Sequence, residues 1–404
     1  MRILAILLAA LVTLSSLTAC RETDSADLAF EGLDVLRLER TLTIGSLDAD
    51  SIEAFTWFRD LAVGEDGRIY TVHPQERRLR VWSASGGLLG TIEPGDGPGE
   101  LGNPHELGIR GDTLWIMDGD GFVLQKYDLD GSFLVGERLG MGRAREGERY
   151  IMPRGLLVDG GLYGSRPAWS AMIASGEISA DTLFRLDRDL TILDTLLVRP
   201  QEVWAIRNPD ANEPSFASYA EQPFGDADIV ALDPSSPAVY RIERHAAAEA
   251  AIDSFRVTRR TFAGDTLYSR VYRYVPEPLD PSSVENVIRE RAARYEDPPF
   301  PTAPTVAQAA EWARATLVVP EFLPPVSEAV AGNDGTLWIA RERADSATRW
   351  IVLSTTGQPL GSVDVPERVR VIHATRHSIC GSFTDELEVP YVVCYRVAPD
   401  AANG

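Results

Sequence analysis

The sequence is poor in cysteine, in histidine and in positive charge. Its 404 residues contain three cysteines and five histidines, and 39 Lys and Arg face 60 Asp and Glu, for a net charge of −21. Attraction to phosphates dominates nucleic-acid binding, so a chain this acidic is not expected to bind nucleic acid or anionic lipid headgroups. No G-x-S-x-G motif occurs, and a serine hydrolase of that kind is therefore not supported.

Long hydrophobic runs are also missing, except at the N-terminus. There Arg2 precedes an apolar run from Ile3 to about Leu14. This run is shorter than the ~20 apolar residues of a membrane span, but it fits a secretory signal. The stretch LTAC, ending at Cys20, resembles the bacterial lipobox, in which the cysteine is lipidated and becomes the mature N-terminus. We expect a signal peptide over residues 1–19 and a lipidated linker over 20–32, with an ordinary signal peptide as the alternative.

The expected lipid would be the sole membrane contact. Each buried CH₂ contributes ~0.8 kcal/mol, so several acyl chains on one residue hold a protein firmly. Arg21 rather than an aspartate follows the cysteine. In bacteria with two membranes this favours an anchor in the outer membrane. The protein would then lie on either the periplasmic or the outer face of that membrane.

The mature chain would keep two cysteines, Cys380 and Cys394. The stretch SICGSFTDELEVPYVVCYRV reads as two strands around a tight acidic turn near Glu386. In that hairpin the two cysteines face each other, and cross-strand Cβ atoms lie roughly 4.5–5.5 Å apart. Slight adjustment permits a disulfide, which is typical outside the cytoplasm. We predict this disulfide, with two buried reduced thiols as the alternative.

Two kinds of phrase recur about every 42 to 45 residues. In one, a turn precedes an apolar-aromatic strand, as in DGRIYTV (66–72), GDTLWIMD (111–118) and DGTLWIA (334–340). In the other, two strands flank a polar turn, as in RLRVWSASGGLLGTI (78–92) and RWIVLSTTGQPLGSV (349–363). Strand-turn-strand units at this period are typical of propeller blades, and six units can be counted.

The last unit supplies only three strands. An alternating stretch near the N-terminus, LDVLRLERTLTIG (33–45), offers a fourth. A ring keeps open sheet edges unless its first and last strands pair. We therefore predict that residues 35–44 close blade six beside residues 391–397. The propeller would span residues 33–398, followed by a tail over 399–404.

One region, at about 280–318, departs from the repeat. Two stretches with apolar residues at helical spacing, 280–297 and 305–318, flank the proline-rich PPFPTAP. Ser282 with Glu285, and Thr305 with Gln308, are spaced as capping boxes. We predict a two-helix insertion between blades four and five, lying against one mouth of the ring as packing or as a lid.

The crossing EPGDGPGELG (93–102), the D-G-x-L/I-aromatic strands and the strand-turn-strand phrases resemble the six-bladed β-propellers of the NHL-repeat-like superfamily. Its secreted or lipidated bacterial members are the most similar. The resemblance implies an all-β fold but no activity, because relatives include lyases, lactonases and binding proteins. The crossing has no Lys or Arg and no helix after it, so we interpret it as a turn rather than a phosphate loop. Asp96 and Glu100 offer oxygen ligands for calcium, but too few by themselves.

Candidate site residues fall into two groups. Asn103, His105, Glu106 and Asp118 lie near the predicted channel end, where lactonase relatives hold a divalent ion through Glu, Asn and Asp. A second group is chosen only because it lies outside the regular phrases, as a place to seek glycan or peptide binding: Arg166, Trp169, Trp204 and Arg207. Four tryptophans inside the phrases are expected to fill the core: Trp82, Trp115, Trp338 and Trp350.

No convergent catalytic set emerges from these residues. The leading hypothesis is a monomeric, lipid-anchored, non-catalytic propeller that binds an unidentified protein, peptide or glycan at its channel mouth and needs no cofactor, calcium excepted. The alternative is a metal-dependent hydrolase or lyase with its site in the channel. A scaffold in envelope assembly is a third interpretation.

Overall fold

Six antiparallel sheets form a ring in the computed structural model. The structure describes residues 28–399 except 31, 48–53, 55, 120–121, 141–150, 167–180, 200–202, 208–216, 245–252, 297–302 and 342–346. Within these residues the prediction of an all-β, six-bladed propeller with a helical insertion is confirmed.

The elements follow one another in this order. The N-terminal strands are β1 (Leu28–Ala29) and β2 (Arg37–Ile44). Blade one consists of β3 (Asp60–Val63), β4 (Ile69–His73), β5 (Arg78–Trp82) and β6 (Leu88–Ile92). Blade two consists of β7 (Pro104–Arg110), β8 (Thr113–Asp118), β9 (Val123–Asp128) and β10 (Phe133–Arg138). Blade three consists of β11 (Met152–Leu156), β12 (Leu162–Arg166), β13 (Asp181–Leu186) and β14 (Ile192–Arg199). A hairpin of β15 (Val203–Arg207) and β16 (Ala217–Glu221) follows.

Blade four consists of β17 (Ile229–Leu232), β18 (Ala238–Glu243), β19 (Ser254–Thr261) and β20 (Thr266–Arg273). The helices α1 (Pro281–Ala293) and α2 (Val306–Thr316) come next. Blade five consists of β21 (Glu328–Ala331), β22 (Leu337–Arg341), β23 (Ala347–Leu353) and β24 (Pro359–Pro366). Blade six begins with β25 (Val369–Thr375), β26 (Ser378–Thr384) and β27 (Pro390–Ala398).

The first strand of each blade lies nearest the axis. Inner strands of neighbouring blades contact one another in the order β17, β21, β25, β3, β7 and β11. Apolar clusters fill the wedges between blades, as between blades five and six and between blades one and two. The four tryptophans expected in the core are at most 8 % exposed. Large rings therefore pack the sheets face to face, as predicted.

The ring is closed by strands from opposite ends of the chain. Strand β2 pairs antiparallel with β27 and supplies the outer strand of blade six, with Leu42 opposite Cys394. This confirms the predicted closure. Cys380 also faces Cys394 across β26 and β27, and the two form the predicted disulfide. Both cysteines are buried, so the bridge lies inside the blade that closes the ring.

The segment before β2 binds two further blades. Strand β1 pairs in parallel with β20 at the edge of blade four. Phe30 is 5 % exposed, and its ring centroid lies 5.2 Å from Phe255 and 5.0 Å from Tyr272. The amide of Leu36 then donates to the carbonyl of Ser362 in blade five, at 2.7 Å. Residues 28–30 were predicted as linker, but they pack on the propeller because Phe30 fills a gap between aromatic rings.

The insertion is larger than predicted, because the hairpin β15–β16 packs with α1 and α2. We call these four elements the cap. The cap has an apolar cluster of its own, whose buried members are Trp204, Ile206, Ile288, Ala292, Tyr295, Ala309 and Ala313. The hairpin follows outer strand β14, and the two helices follow outer strand β20. Both outer strands end on the side of the ring where the inner strands begin. Among the described residues, no helix has the length and apolar character that crossing a membrane requires.

The helix starts were predicted with mixed success. At α2, Thr305 and Gln308 form the predicted capping box. At α1 the predicted box of Ser282 and Glu285 is wrong, because the N-cap is Asp280, whose carboxylate accepts a bond from the Ser282 amide. Proline is favoured at the first helical position, and here it places the helix start one residue after Asp280.

Removal of the disulfide is expected to destabilise the ring at its closure. A crosslink that closes a loop of about 15 residues contributes ~3 kcal/mol by restricting the unfolded chain. The double variant Cys380→Ala, Cys394→Ala should unfold at a lower denaturant concentration than the oxidised wild type. Reductant should shift the wild-type transition towards that of the variant and leave the variant unchanged. Equal midpoints for oxidised and reduced wild type would contradict this.

Candidate functional site

The inner strands enclose a channel of about 520 Å³ along the axis. Pockets for small molecules commonly measure about 300–1,000 Å³. The walls are largely apolar, with Leu107, Val330 and Ile372 among the lining residues. His373 also lines the channel, and burial lowers its pKa to about 4, which keeps the imidazole neutral at neutral pH.

Charged residues gather at the end of the channel where the inner strands begin. Each lies within the first three residues of its strand, and five of the six blades contribute one: Asp60, Glu106, Arg154, Glu328 and Arg370. We call this set the charged mouth. The cap leaves the ring at the same end. The arrangement arises because every blade enters the channel in the same direction, so equivalent strand positions meet around one opening.

Asp60 opens β3 and faces the channel. Its Oδ1 accepts a bond from the amide of Leu61 at 2.9 Å, and its Oδ2 accepts one from the amide of Leu107 at 3.4 Å. Burial raises the pKa of Asp60 to about 6, and the neighbouring charge of Glu106 adds to the rise. No cation of the described chain lies within ion-pair distance of this carboxylate. Its negative charge is thus poorly compensated.

Glu106 lies on the neighbouring strand β7 and also faces the channel. Arg154 donates from Nη1 to Glu106 Oε1 at 3.4 Å, and from Nε to Ser165 Oγ at 3.0 Å. Burial nevertheless raises the pKa of Glu106, although the charge of Arg154 opposes the rise. Burial and these carboxylates also raise the pKa of Tyr163 in the channel wall. The phenol therefore stays protonated and able to donate a hydrogen bond.

Three more charges at this end lack side-chain partners. Within the described ranges, Arg59, Glu328 and Arg370 make no side-chain hydrogen bond and no ion pair. Burial raises the pKa of Glu328, while the charge of Arg370 opposes that rise. The charge of Arg59 likewise opposes the rise in the pKa of Glu106. Charges of both signs from neighbouring blades therefore lie close together at this end of the ring.

The calcium hypothesis concerned the glycine-rich crossing. There Arg77 pairs with Asp96 at 3.3 Å, and the amide of Gly97 donates to Glu100 at 2.8 Å. The two carboxylates are bound within their own part of the blade. Across the described part of the chain, no three His, Cys, Asp or Glu side chains are grouped to hold a metal ion.

Of the first group of predicted residues, only Glu106 lines the channel. Asp118 is buried and accepts bonds from the amides of Gly102 and Asn103, at 2.7 and 2.8 Å. It holds the crossing loop in place. A β-bulge at the start of β7 turns the His105 ring towards the backbone of Gly119. The two are so close that a Cβ on residue 119 would lie 2.4 Å from Nε2 of His105. Asp118 thus occupies a structural position, and Asn103, His105 and Asp118 are not among the residues that line the channel.

The second group is corrected at one position and lies partly outside the described residues. Trp204 is 3 % exposed, and its Nε1 donates to the carbonyl of Ala313 at 2.9 Å. Its ring belongs to the core of the cap and is not available to a ligand. Arg166 and Arg207 lie in β12 and β15, but their side chains are outside the described part of the structure, as is all of Trp169.

Four of the five charged-mouth residues were not anticipated. Asp60, Arg154, Glu328 and Arg370 share no motif, and each is an ordinary charged residue in its own repeat. The available signal was positional. Alignment of the repeats would have placed a charged residue near the start of most inner strands, and such residues meet only in a closed ring.

Fold and site together define a six-bladed β-propeller with a charged channel mouth. No protein-family model matches the sequence, and no curated protein matches it. Similar solved structures include a member of the DUF4221 family from Bacteroides vulgatus, with 10 % identity, 91 % of this chain and 100 % of that chain covered, and a TM-score of 0.48.

Two further structures are similar at this level. A protein described as exported, from Bacteroides fragilis, has 10 % identity, covers 93 % of this chain and 99 % of its own, and gives a TM-score of 0.43. A streptogramin B lyase has 13 % identity, with 88 % of this chain and 86 % of that chain covered, and a TM-score of 0.35. Identities this low concern the fold alone.

Replacement of Asp60 by asparagine is expected to stabilise the protein at high pH. Because the folded-state pKa is about 6 and the ordinary value is 3.8, the folded state binds more protons between these values. Stability from this group therefore falls as the pH rises through that window. Asp60→Asn should raise Tm by about 1–3 °C at pH 8, with a smaller difference at pH 4.

Thermal unfolding at both pH values measures this difference. Asp112→Asn, in the exposed turn at the opposite end of β7, is the matched control and should show no pH-dependent difference from wild type. A Tm difference for Asp60→Asn of equal size at both pH values would show that the charge of Asp60 is not responsible.

Proposed function

We propose that the protein is an exported, lipid-anchored propeller that binds a small ligand at the charged mouth without transforming it. One observation carries the proposal: charges of both signs from separate blades gather at the end of a channel of ligand size, where Asp60 and Glu106 line the wall and the charge of Arg370 acts on Asp60. Desolvated charges without partners reduce stability, and such arrangements are concentrated at functional sites.

Export and anchoring are supported by two features of the chain. The N-terminal sequence ends its apolar run in LTAC, and the disulfide of Cys380 and Cys394 suits an oxidising compartment. A lipid on Cys20 would lie eight residues before Leu28, where β1 begins. Eight residues reach at most ~29 Å, so the edge of blade four would stay close to the membrane.

Substitution of Cys20 tests the anchor. Cys20→Ser should abolish incorporation of a labelled fatty acid and move the protein from the membrane fraction to the soluble fraction. Ser25→Ala, in the same linker, is the control and should be labelled and fractionate as wild type does. Continued labelling of Cys20→Ser would contradict lipidation at this residue.

Ligand binding is tested with the full mature chain carrying Cys20→Ser, which keeps the protein in solution. The protein is equilibrated with a small-molecule extract of the cell envelope, and retained compounds are identified by mass spectrometry. The double variant Asp60→Asn, Arg370→Gln should retain at least tenfold less of the bound compound. Asp112→Asn, Arg376→Gln, at the opposite ends of β7 and β25, should retain as much as wild type.

Two results would contradict the proposed function. Retention that is equal in wild type and in the charged-mouth variant would place any binding elsewhere. Recovery of the retained compound in a chemically altered form would show that the protein is an enzyme rather than a binding module.

A further inference from the structure

The charges at the channel opening follow a definite order around the ring. Around the axis, the inner strands follow one another in the order β21, β25, β3, β7 and β11, and each contacts the next. They contribute, in that order, Glu328, Arg370, Asp60, Glu106 and Arg154. Arg370 therefore lies between two carboxylates of neighbouring blades, and the carboxylates of Asp60 and Glu106 are adjacent. Groups of opposite sign therefore lie next to one another around the opening.

Only part of this set is paired within the protein. Arg154 and Glu106 form an ion pair, at 3.4 Å, and both remain accessible, with 31 % and 27 % of their side chains exposed. Asp60 accepts only backbone amides, at 2.9 and 3.4 Å. Arg370 makes no side-chain bond to any described residue. One carboxylate and one guanidinium on neighbouring strands are thus open to a ligand.

Together with Arg59, which directly precedes β3 and whose charge acts on Glu106, the charged mouth is balanced in charge. Three carboxylates, of Asp60, Glu106 and Glu328, then accompany three guanidiniums, of Arg59, Arg154 and Arg370. A purely cationic or purely anionic ligand would satisfy one sign and leave the other uncompensated, which is unfavourable at a crowded site. A phosphate dianion would likewise leave an excess of negative charge. A ligand with one positive and one negative group leaves no excess.

We propose that the charged mouth binds a short peptide through both of its termini, with the ammonium group at Asp60 and Glu106 and the carboxylate at Arg370. This inference rests on the binding function proposed above and specifies its ligand class. Carboxylates bind an ammonium group by charge-assisted hydrogen bonds, and the planar guanidinium of arginine matches a carboxylate in two-bonded geometry. The apolar walls at Leu107, Val330 and Ile372 then lie behind the charges, where apolar peptide side chains can be buried.

A randomised tripeptide library tests the ligand class in four forms: free, N-acetylated, C-terminally amidated, and blocked at both ends. Each form is equilibrated with the full mature Cys20→Ser chain, and the retained fraction is measured by mass spectrometry. The free library should be retained at least tenfold more than any blocked form, because each block removes one of the two charged contacts.

Single variants connect each terminus to its residue. Asp60→Asn should reduce retention of the free library at least tenfold but change that of the N-acetylated library less than twofold. Arg370→Gln should behave in the same way towards the free and amidated libraries. Asp112→Asn and Arg376→Gln, in exposed turns at the other end of the ring, should match wild type with every form.

The outcomes separate this inference from the proposed function. Equal retention of the four forms, or a loss in Asp60→Asn that persists for the N-acetylated library, would overturn the peptide inference. If no library is retained while an envelope compound is held in a manner dependent on Asp60 and Arg370, the ligand class is wrong and the binding function stands. If neither libraries nor extract yield a ligand that depends on the charged mouth, both fail.

Discussion

Pairing of β2 with β27 is the constraint on which the rest of the molecule depends. Wedge-shaped sheets arranged side by side keep two exposed edges unless the first and last are joined. Here the N-terminal strand supplies the outer edge of the last blade, and a disulfide between Cys380 and Cys394 secures the two strands beside it. Closure also fixes the inner strands around one axis, so residues more than 300 positions apart in the chain meet at one opening.

The charged mouth is a product of that geometry. Asp60, Glu106 and Arg370 come from three blades, and each would be an exposed, ordinary charge in an isolated sheet. In the closed ring the surrounding walls desolvate the two carboxylates, and this burial raises the pKa of Asp60 and Glu106. Stability is reduced in the empty protein, and a complementary ligand would recover it. The cap leaves the outer strands at the same end of the ring and has a core of its own.

Much of the fold could be predicted from local patterns, and much of the site could not. The repeat period, the alternating strand at 33–45 and the hairpin register of Cys380 and Cys394 depend on neighbours within one blade, and all three predictions are confirmed. The hairpin β15–β16 was missed because its apolar residues pack against helices far along the chain. Trp204 was chosen as a binding candidate because it lies outside the regular phrases, and its burial against the helices went unseen for the same reason. Phe30 was assigned to a linker although it fills a gap in blade four.

The sequence by itself determined the number of blades, their strand order and the crosslink, because each follows from period-two alternation, turn residues and spacing within about 45 residues. It also determined the closure, because the last unit lacks a strand that the alternating N-terminal stretch supplies. It also identified the signal-like N-terminus and the acidic character of the chain. Only the tertiary structure decided which charges share an opening and which polar residues serve the scaffold, as Asp118 does. The physical reason is that desolvation and Coulomb interactions depend on distance in space, and in a ring that distance is unrelated to separation along the chain.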